Sequence, residues 1–199
     1  MMRVALVDAG GANLGSVCYA LNRLGIEPEV TADAGAIRAA DRVLLPGVST
    51  AAQVMGRLRE LGLVDTLRGL DAPLLGVCVG MQLLYERSEE GEVECLGLLP
   101  GVVRKLPAAP GIRIPHMGWN ALRRMRDSTL LDGVAEGANA YFVHSYAAPI
   151  TADTVAATDH GSLFSAVVQR GRLCGAQFHP ERSAATGARI LRNFIEMDF

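Results

Sequence analysis

Three short stretches in the first half of the chain are apolar without interruption: Val4-Ala5-Leu6-Val7, Val43-Leu44-Leu45 and Pro73-Leu74-Leu75-Gly76-Val77. A strand with one wet face alternates apolar and polar residues, whereas one that is apolar throughout is covered on both faces. Glu29–Thr31 is a further candidate strand. Helical patterns lie between these runs. Asn13 precedes Leu14, Val17, Leu21 and Leu24 at helical spacing, and Gly25 supplies a stop. Residues 50–61 and 79–87 also read as helices, and Pro46-Gly47 is expected to break the third strand. Strand–helix alternation of this kind predicts an α/β fold: an open, mainly parallel sheet with helices on both faces. The second half changes character. Six candidate strands (102–106, 119–122, 140–144, 155–157, 166–169 and 173–178) are punctuated by Pro107, Gly111, Gly118, Gly137, Gly161 and Gly171. Antiparallel strands are therefore expected there, closed by a helix over 184–196. No repeat, low-complexity tract or linker divides the chain, so residues 1–199 are expected to form one domain.

Composition excludes several classes of function. Half of the 199 residues are hydrophobic and the formal net charge is -2, which leaves no case for disorder. With 19 basic against 21 acidic residues, the chain lacks the basic excess that gripping nucleic acid requires. No apolar run approaches the length of a membrane span, and the first residues lack the pattern of a secretory signal. A cytoplasmic location is expected. Cys18, Cys78, Cys95 and Cys174 are widely spaced, so neither a zinc site nor a redox dithiol is indicated. No metal or other cofactor is expected. Lys105 is the sole lysine, a bias read as genomic.

The strongest chemical signal is Gly76-Val77-Cys78-Val79-Gly80-Met81-Gln82, set between an apolar strand and a helix. Its form is that of a nucleophile elbow with cysteine as the nucleophile. Crowding of strand and helix calls for glycine at positions 76 and 80. The sulfur then stands at the first turn of a helix, where backbone N–H groups favour a thiolate, and the Val79 N–H becomes a candidate oxyanion donor. A second signal, His179-Pro180-Glu181, follows another candidate strand. Proline holds the preceding residue extended, and residues two apart on an extended chain point the same way. Glu181 can thus orient His179 as a base. The nucleophile and the base would meet at strand C-termini, where open α/β sheets place their sites. His116, His144 and His160 read as structural, and the glycines at 10, 11 and 15 match neither a dinucleotide nor a phosphate loop.

Gly76–Gln82 and His179–Glu181 together resemble the Cys-His-Glu triad of the class I glutamine amidotransferases, a flavodoxin-like α/β fold. Pro115-His116-Met117-Gly118-Trp119-Asn120, Tyr141-Phe142-Val143-His144-Ser145-Tyr146 and Leu45-Pro46-Gly47-Val48 are similar to the glutaminase subunits of imidazole glycerol phosphate synthases, which serve histidine biosynthesis. The resemblance implies that Cys78 attacks glutamine, that His179 serves as acid and then base, and that Glu181 orients it. It also implies that Gly47 and Val48 supply a second oxyanion element and that Gln82, Glu90, Ser145 and Tyr146 hold the glutamine head group. Free ammonia is protonated in water at neutral pH, so a partner is implied: a (β/α)₈ barrel cyclase in a heterodimer. Asn13, Trp119, Asn120 and Arg182 are the implied interface residues.

The chain departs from the family pattern twice. Ser49 takes the place of a usual glycine after Pro-Gly-Val, and Ala9–Leu14 lacks the usual aromatic and glycines before Asn-Leu. Three alternatives stay open: a glutaminase for pyridoxal phosphate synthase, which usually carries Pro-Gly-Gly; a non-catalytic partner-binding subunit; and a redox sensor at Cys78.

Overall fold

The computed structural model describes residues 2–10 and 13–199, so Gly11 of the predicted first turn, and Ala12 beside it, lie outside the described residues. The first half alternates as its apolar runs predict. Its order is β1 (Val4–Val7), α1 (Leu14–Asn22), β2 (Glu29–Thr31), α2 (Ala34–Ala39), β3 (Arg42–Gly47), α3 (Ala51–Glu60), α4 (Val64–Arg68), β4 (Leu74–Cys78) and α5 (Val79–Gln82). The second half holds β5 (Arg87–Ser88), β6 (Val93–Glu94), β7 (Val102–Lys105), β8 (His116–Ala121), β9 (Arg123–Arg124), β10 (Asn139–His144), β11 (Tyr146–Ala147), β12 (Thr154–Asp159), β13 (Leu163–Arg170), β14 (Leu173–Ala176) and α6 (Ala184–Glu196).

Eight strands form the main sheet in the order β2-β1-β3-β4-β14-β13-β12-β9. The pairings from β2 through β14 are parallel, and those from β14 to β9 are antiparallel. The expected mixed sheet is therefore present. Helices α2 and α3 both contact α4, while α1 and α6 meet a 3₁₀ turn at Pro180–Arg182, the two groups that right-handed crossovers would set on opposite faces. Strands β1, β3 and β4 are buried along nearly their whole length, as their unbroken apolar runs require. No helix among the described residues is long and apolar enough to cross a membrane.

Two expectations need correction. Pro46 does not break β3, which runs on to Gly47. The β1 pairing of β3 covers only Arg42 to Leu44, so proline falls where one neighbour has already ended and no N–H is required on that side. The helix expected over 79–87 is only a single turn. Leu83, Leu84 and Tyr85 are fully buried, and their carbonyls accept N–H bonds from Leu96, Leu98, Leu99 and Gly97 instead of from a continuing helix.

Candidate active site

Cys78 ends β4 beside Gly47 of β3 and has φ +54°, ψ −113°. A non-glycine residue held there costs on the order of 1–3 kcal/mol and persists only where its surroundings fix it. The fixing is done by absent side chains. A Cβ on Gly76 would lie 2.6 Å from the Gly80 carbonyl oxygen, and one on Gly80 would lie 1.7 Å from the Leu45 carbonyl oxygen. Gly47 and Gly175 serve the same packing: an added Cβ would come within 2.8 Å of the Val79 side chain and 2.6 Å of the Met81 side chain, respectively. The turn α5 is thus pressed onto β3, β4 and β14 together. With only four residues it has little macrodipole, and what it offers at the sulfur is its unpaired first N–H groups, that of Val79 among them.

The imidazole is held differently. His179 is extended (φ −95°, ψ 98°), as Pro180 requires, but residues 180–182 turn in a 3₁₀ helix. That turn, rather than a continuing extended chain, brings Glu181 back onto the ring. His179 Nδ1 and Glu181 Oε1 lie 2.9 Å apart, with the carboxylate almost wholly buried. Asn13 donates to the same oxygen. Burial works against a charged His179 ring, but bonding and charge from Cys78 and Glu181 outweigh it and push the pKa up to about 10. Glu181 moves the other way: burial raises it, and the imidazole, helped by its own backbone and Asn13, brings it below the usual carboxylate value. The backbone of His179 is clamped as well. Its N–H donates to the Tyr141 carbonyl, and its carbonyl accepts from Ser183 Oγ at 2.7 Å, while Ser183 Oγ accepts from Tyr141 N at 2.9 Å.

The glutamine amidotransferase class-I family model matches residues 5–197. This chain belongs to the class-I glutamine amidotransferases. It is 68% identical, over the full length of both chains, to an imidazole glycerol phosphate synthase subunit HisH of Xanthomonas axonopodis pv. citri (strain 306). It is 65% identical to a subunit of the same name from Xylella fastidiosa (strain Temecula1 / ATCC 700964), covering 100% of this chain and 99% of the relative. A crystal structure described as a glutamine amidotransferase shares the fold, with a TM-score of 0.74, 22% identity and 97% of each chain covered.

In this amidotransferase, a cleft of about 690 Å³ gathers most of the expected residues: Asn13, Val48, Cys78, Val79, Gln82, Glu90, Ser145, Tyr146, His179 and Arg182. Glu181 stands behind His179, and Gly47 lies under Val79. Gln82 donates from Nε2 to the Tyr146 carbonyl at 2.8 Å and to Gln177 Oε1 at 3.0 Å. That leaves its own Oε1 buried with no partner among the described residues. Glu90 accepts from Ala51 N at 2.9 Å through Oε2, at the start of α3, so one carboxylate oxygen is committed to the loop after β3. Ser49 holds ordinary backbone: Cys78, Glu92 and Ala184 are the positive-φ non-glycine residues among those described.

Three of the expected interface residues differ from one another in setting. Trp119 is 55% exposed on β8, edge-on to Tyr141. Asn120 turns its amide toward His116, and Asn13 turns its own onto Glu181. Sequence reasoning missed Ser183 and Gln177. Ser183 is fully buried, and Gln177 donates to the Cys78 sulfur at 3.9 Å. A serine at the start of α6 reads as a helix cap, yet its hydroxyl makes no cap bond and serves His179 instead.

Proposed function

We propose that this chain is the glutaminase subunit of an imidazole glycerol phosphate synthase, acting as one domain over residues 1–199 in the cytoplasm. It would hydrolyse glutamine and deliver ammonia to a partner cyclase in histidine biosynthesis. The observation that carries the reading is the His179 ring held by Glu181 at 2.9 Å and lining the same cleft as Cys78. The names of the full-length relatives favour this synthase over pyridoxal phosphate synthase.

In this reading the Cys78 sulfur attacks the side-chain amide carbon of glutamine. The oxyanion forms against the Val79 N–H and the Gly47-Val48 segment, while Gln82, Glu90, Ser145 and Tyr146 hold the head group. Removing one such oxyanion donor typically costs about 10²–10³ in rate. The His179 imidazolium protonates the leaving nitrogen, and ammonia departs. A γ-glutamyl thioester remains. Acylation also removes the thiol–imidazole pairing that helps raise His179. The ring, having already given up its proton, therefore stays neutral and takes one from the water that releases glutamate. Glu181 holds Nδ1 protonated throughout, leaving Nε2 for chemistry.

Ammonia needs a dry path to its acceptor, and the acceptor subunit is read as a (β/α)₈ barrel docked over the face that carries Arg182 and Trp119. The test is Cys78→Ala in the assembled synthase. Glutamine-dependent synthesis should vanish while ammonia-dependent synthesis persists; equal loss of both would remove Cys78 from the role.

A further inference from the structure

Two buried imidazoles, one of which (His144) lines the cleft, take no part in the triad. His116 of β8 and His144 of β10 are register partners, and His116 Nδ1 lies 3.0 Å from His144 Nε2. We infer that Asn120, His116 and His144 form a hydrogen-bond chain running in one direction, which positions the Tyr146 carbonyl and, through it, Gln82 for glutamine binding. The binding role rests on the glutaminase reading; the direction of the chain does not.

The direction follows from what each atom can do. His144 Nδ1 lies 2.8 Å from the Tyr146 carbonyl oxygen, which can only accept. His144 therefore carries its proton on Nδ1, and its Nε2 is a bare acceptor. His116 must donate to it from Nδ1, which leaves His116 Nε2 without a proton. That nitrogen faces Asn120 Nδ2 at 3.2 Å, and the same amide nitrogen donates to the Asp159 carbonyl at 2.9 Å. Asn120 Oδ1 accepts from Ala121 N at 2.8 Å, which fixes the way the amide points. Each N–H in the chain thus has one acceptor, the two hydrogens of the Asn120 amide going to His116 and to Asp159.

Both rings are neutral in this arrangement. Burial, with repulsion from His160, lowers His116 to about 4. Burial lowers His144 to about 3; the Tyr146 carbonyl opposes this, while His116, His160 and His179 add to it. Phe142 and Phe164 pack against the pair, and His160 stacks on His116 with ring centres 4.0 Å apart. Among the described residues no carboxylate bonds to either ring. A proton added to His144 Nε2 or to His116 Nε2 would face another N–H.

The chain ends on the atom that matters to the cleft. The Tyr146 carbonyl accepts from both His144 Nδ1 and Gln82 Nε2. Gln82, so oriented, presents its unpartnered buried Oε1 as an acceptor. Reversing the chain would turn a lone pair of His144 onto the Tyr146 oxygen and loosen the Gln82 amide.

The test uses the full chain labelled with ¹⁵N in histidine. Two-bond ¹⁵N–¹H spectra should find His116 and His144 both neutral with the proton on Nδ1, and neither titrating above pH 6. An Nε2–H form at either ring, or titration near pH 7, would overturn the chain. Asn120→Asp is nearly the same shape but cannot donate; it should move the His116 proton from Nδ1 to Nε2, so that His144 donates from Nε2 and turns a bare Nδ1 onto the Tyr146 carbonyl, and both rings should then give Nε2–H spectra. With the partner subunit present, Asn120→Asp should raise KM for glutamine about tenfold, with kcat little changed, and should do so more than Asn120→Ala. A merely space-filling Asn120 predicts the opposite order, and an Asp variant equal to or milder than Ala would overturn the role. Labelling of Cys78 by a glutamine-analogue electrophile tests the glutaminase reading on a different atom, so a failure there is distinct from a failure of the tautomers.

Discussion

The proposed nucleophile and the proposed base of this amidotransferase are held by opposite means. Cys78 is fixed by what its neighbours lack: four glycines let the turn after β4 sink onto three strands. His179 is fixed by what its neighbours supply: Glu181 and Asn13 hold the ring side, and Ser183 and Tyr141 hold the backbone. Steric fixing leaves no alternative short of moving the sheet. Polar fixing is softer, because each bond is worth about 1 kcal/mol net and can exchange with water when opened. The side of the pair that must move a proton is thus also the side built from replaceable bonds.

The steric side should break most sharply. Gly80→Ala places a methyl 1.7 Å from the Leu45 carbonyl oxygen, with backbone on both sides of the clash. Loss of more than about 4 kcal/mol is expected, enough to leave little folded protein. Urea unfolding of the variant checks this; a stability within 1 kcal/mol of the parent would mean that the elbow has room that its geometry denies. Glycines at 76 and 80 were legible in the sequence because crowding at an elbow is a local rule. Gly175 was not, because its neighbour Met81 comes from another strand's turn.

The polar side should fail by degrees. Ser183→Ala removes a hydroxyl that donates to the His179 carbonyl, in a buried bond, and accepts from Tyr141 N, in a half-buried one. The stability cost expected is about 1–3 kcal/mol, for two backbone groups left without that partner. Because the imidazole loses its backbone anchor, kcat should fall by about 10²-fold while KM for glutamine stays near its starting value. Steady-state kinetics and unfolding on the same preparation separate the two effects. A rise in KM with kcat preserved would place Ser183 in the binding cleft rather than behind the base.

What could be read in advance follows the same division. Unbroken apolar runs announced β1, β3 and β4, and the helix over 184–196 matches its expected span. The short helices α2 and α4 and the two-residue strands β5, β6, β9 and β11 carry too few residues for a period to emerge. At the site, Cys78, His179 and Glu181 were legible because each sits in a local motif. The roles of Asn13 and Asn120 were not. An asparagine before a helix reads as a cap, but Asn13 makes no side-chain cap bond and spends its amide 168 residues away on Glu181. Nothing local announces such a bond, because the acceptor arrives through the fold.

The smallest effect expected concerns pH, and it tests whether the polar fixing is ionic. His179 is raised in the folded chain to about 10, against an ordinary value of 6.5. A group raised on folding adds stability that is fully present below its unfolded value and is lost as pH climbs through the folded one. Stability should therefore decline between about pH 6.5 and pH 10. Glu181, held low, contributes in the opposite sense: its share is present above the ordinary carboxylate value and is lost on acidification. Glu181→Gln keeps a polar partner for Nδ1 but removes the charge, so the alkaline decline should flatten while the acid decline shrinks. Unfolding midpoints measured at pH 3, 5, 7 and 9 for parent and variant decide the matter. Parallel curves would mean that the ring is held by hydrogen bonding alone, and the contrast between the two halves of the site would narrow to one of packing.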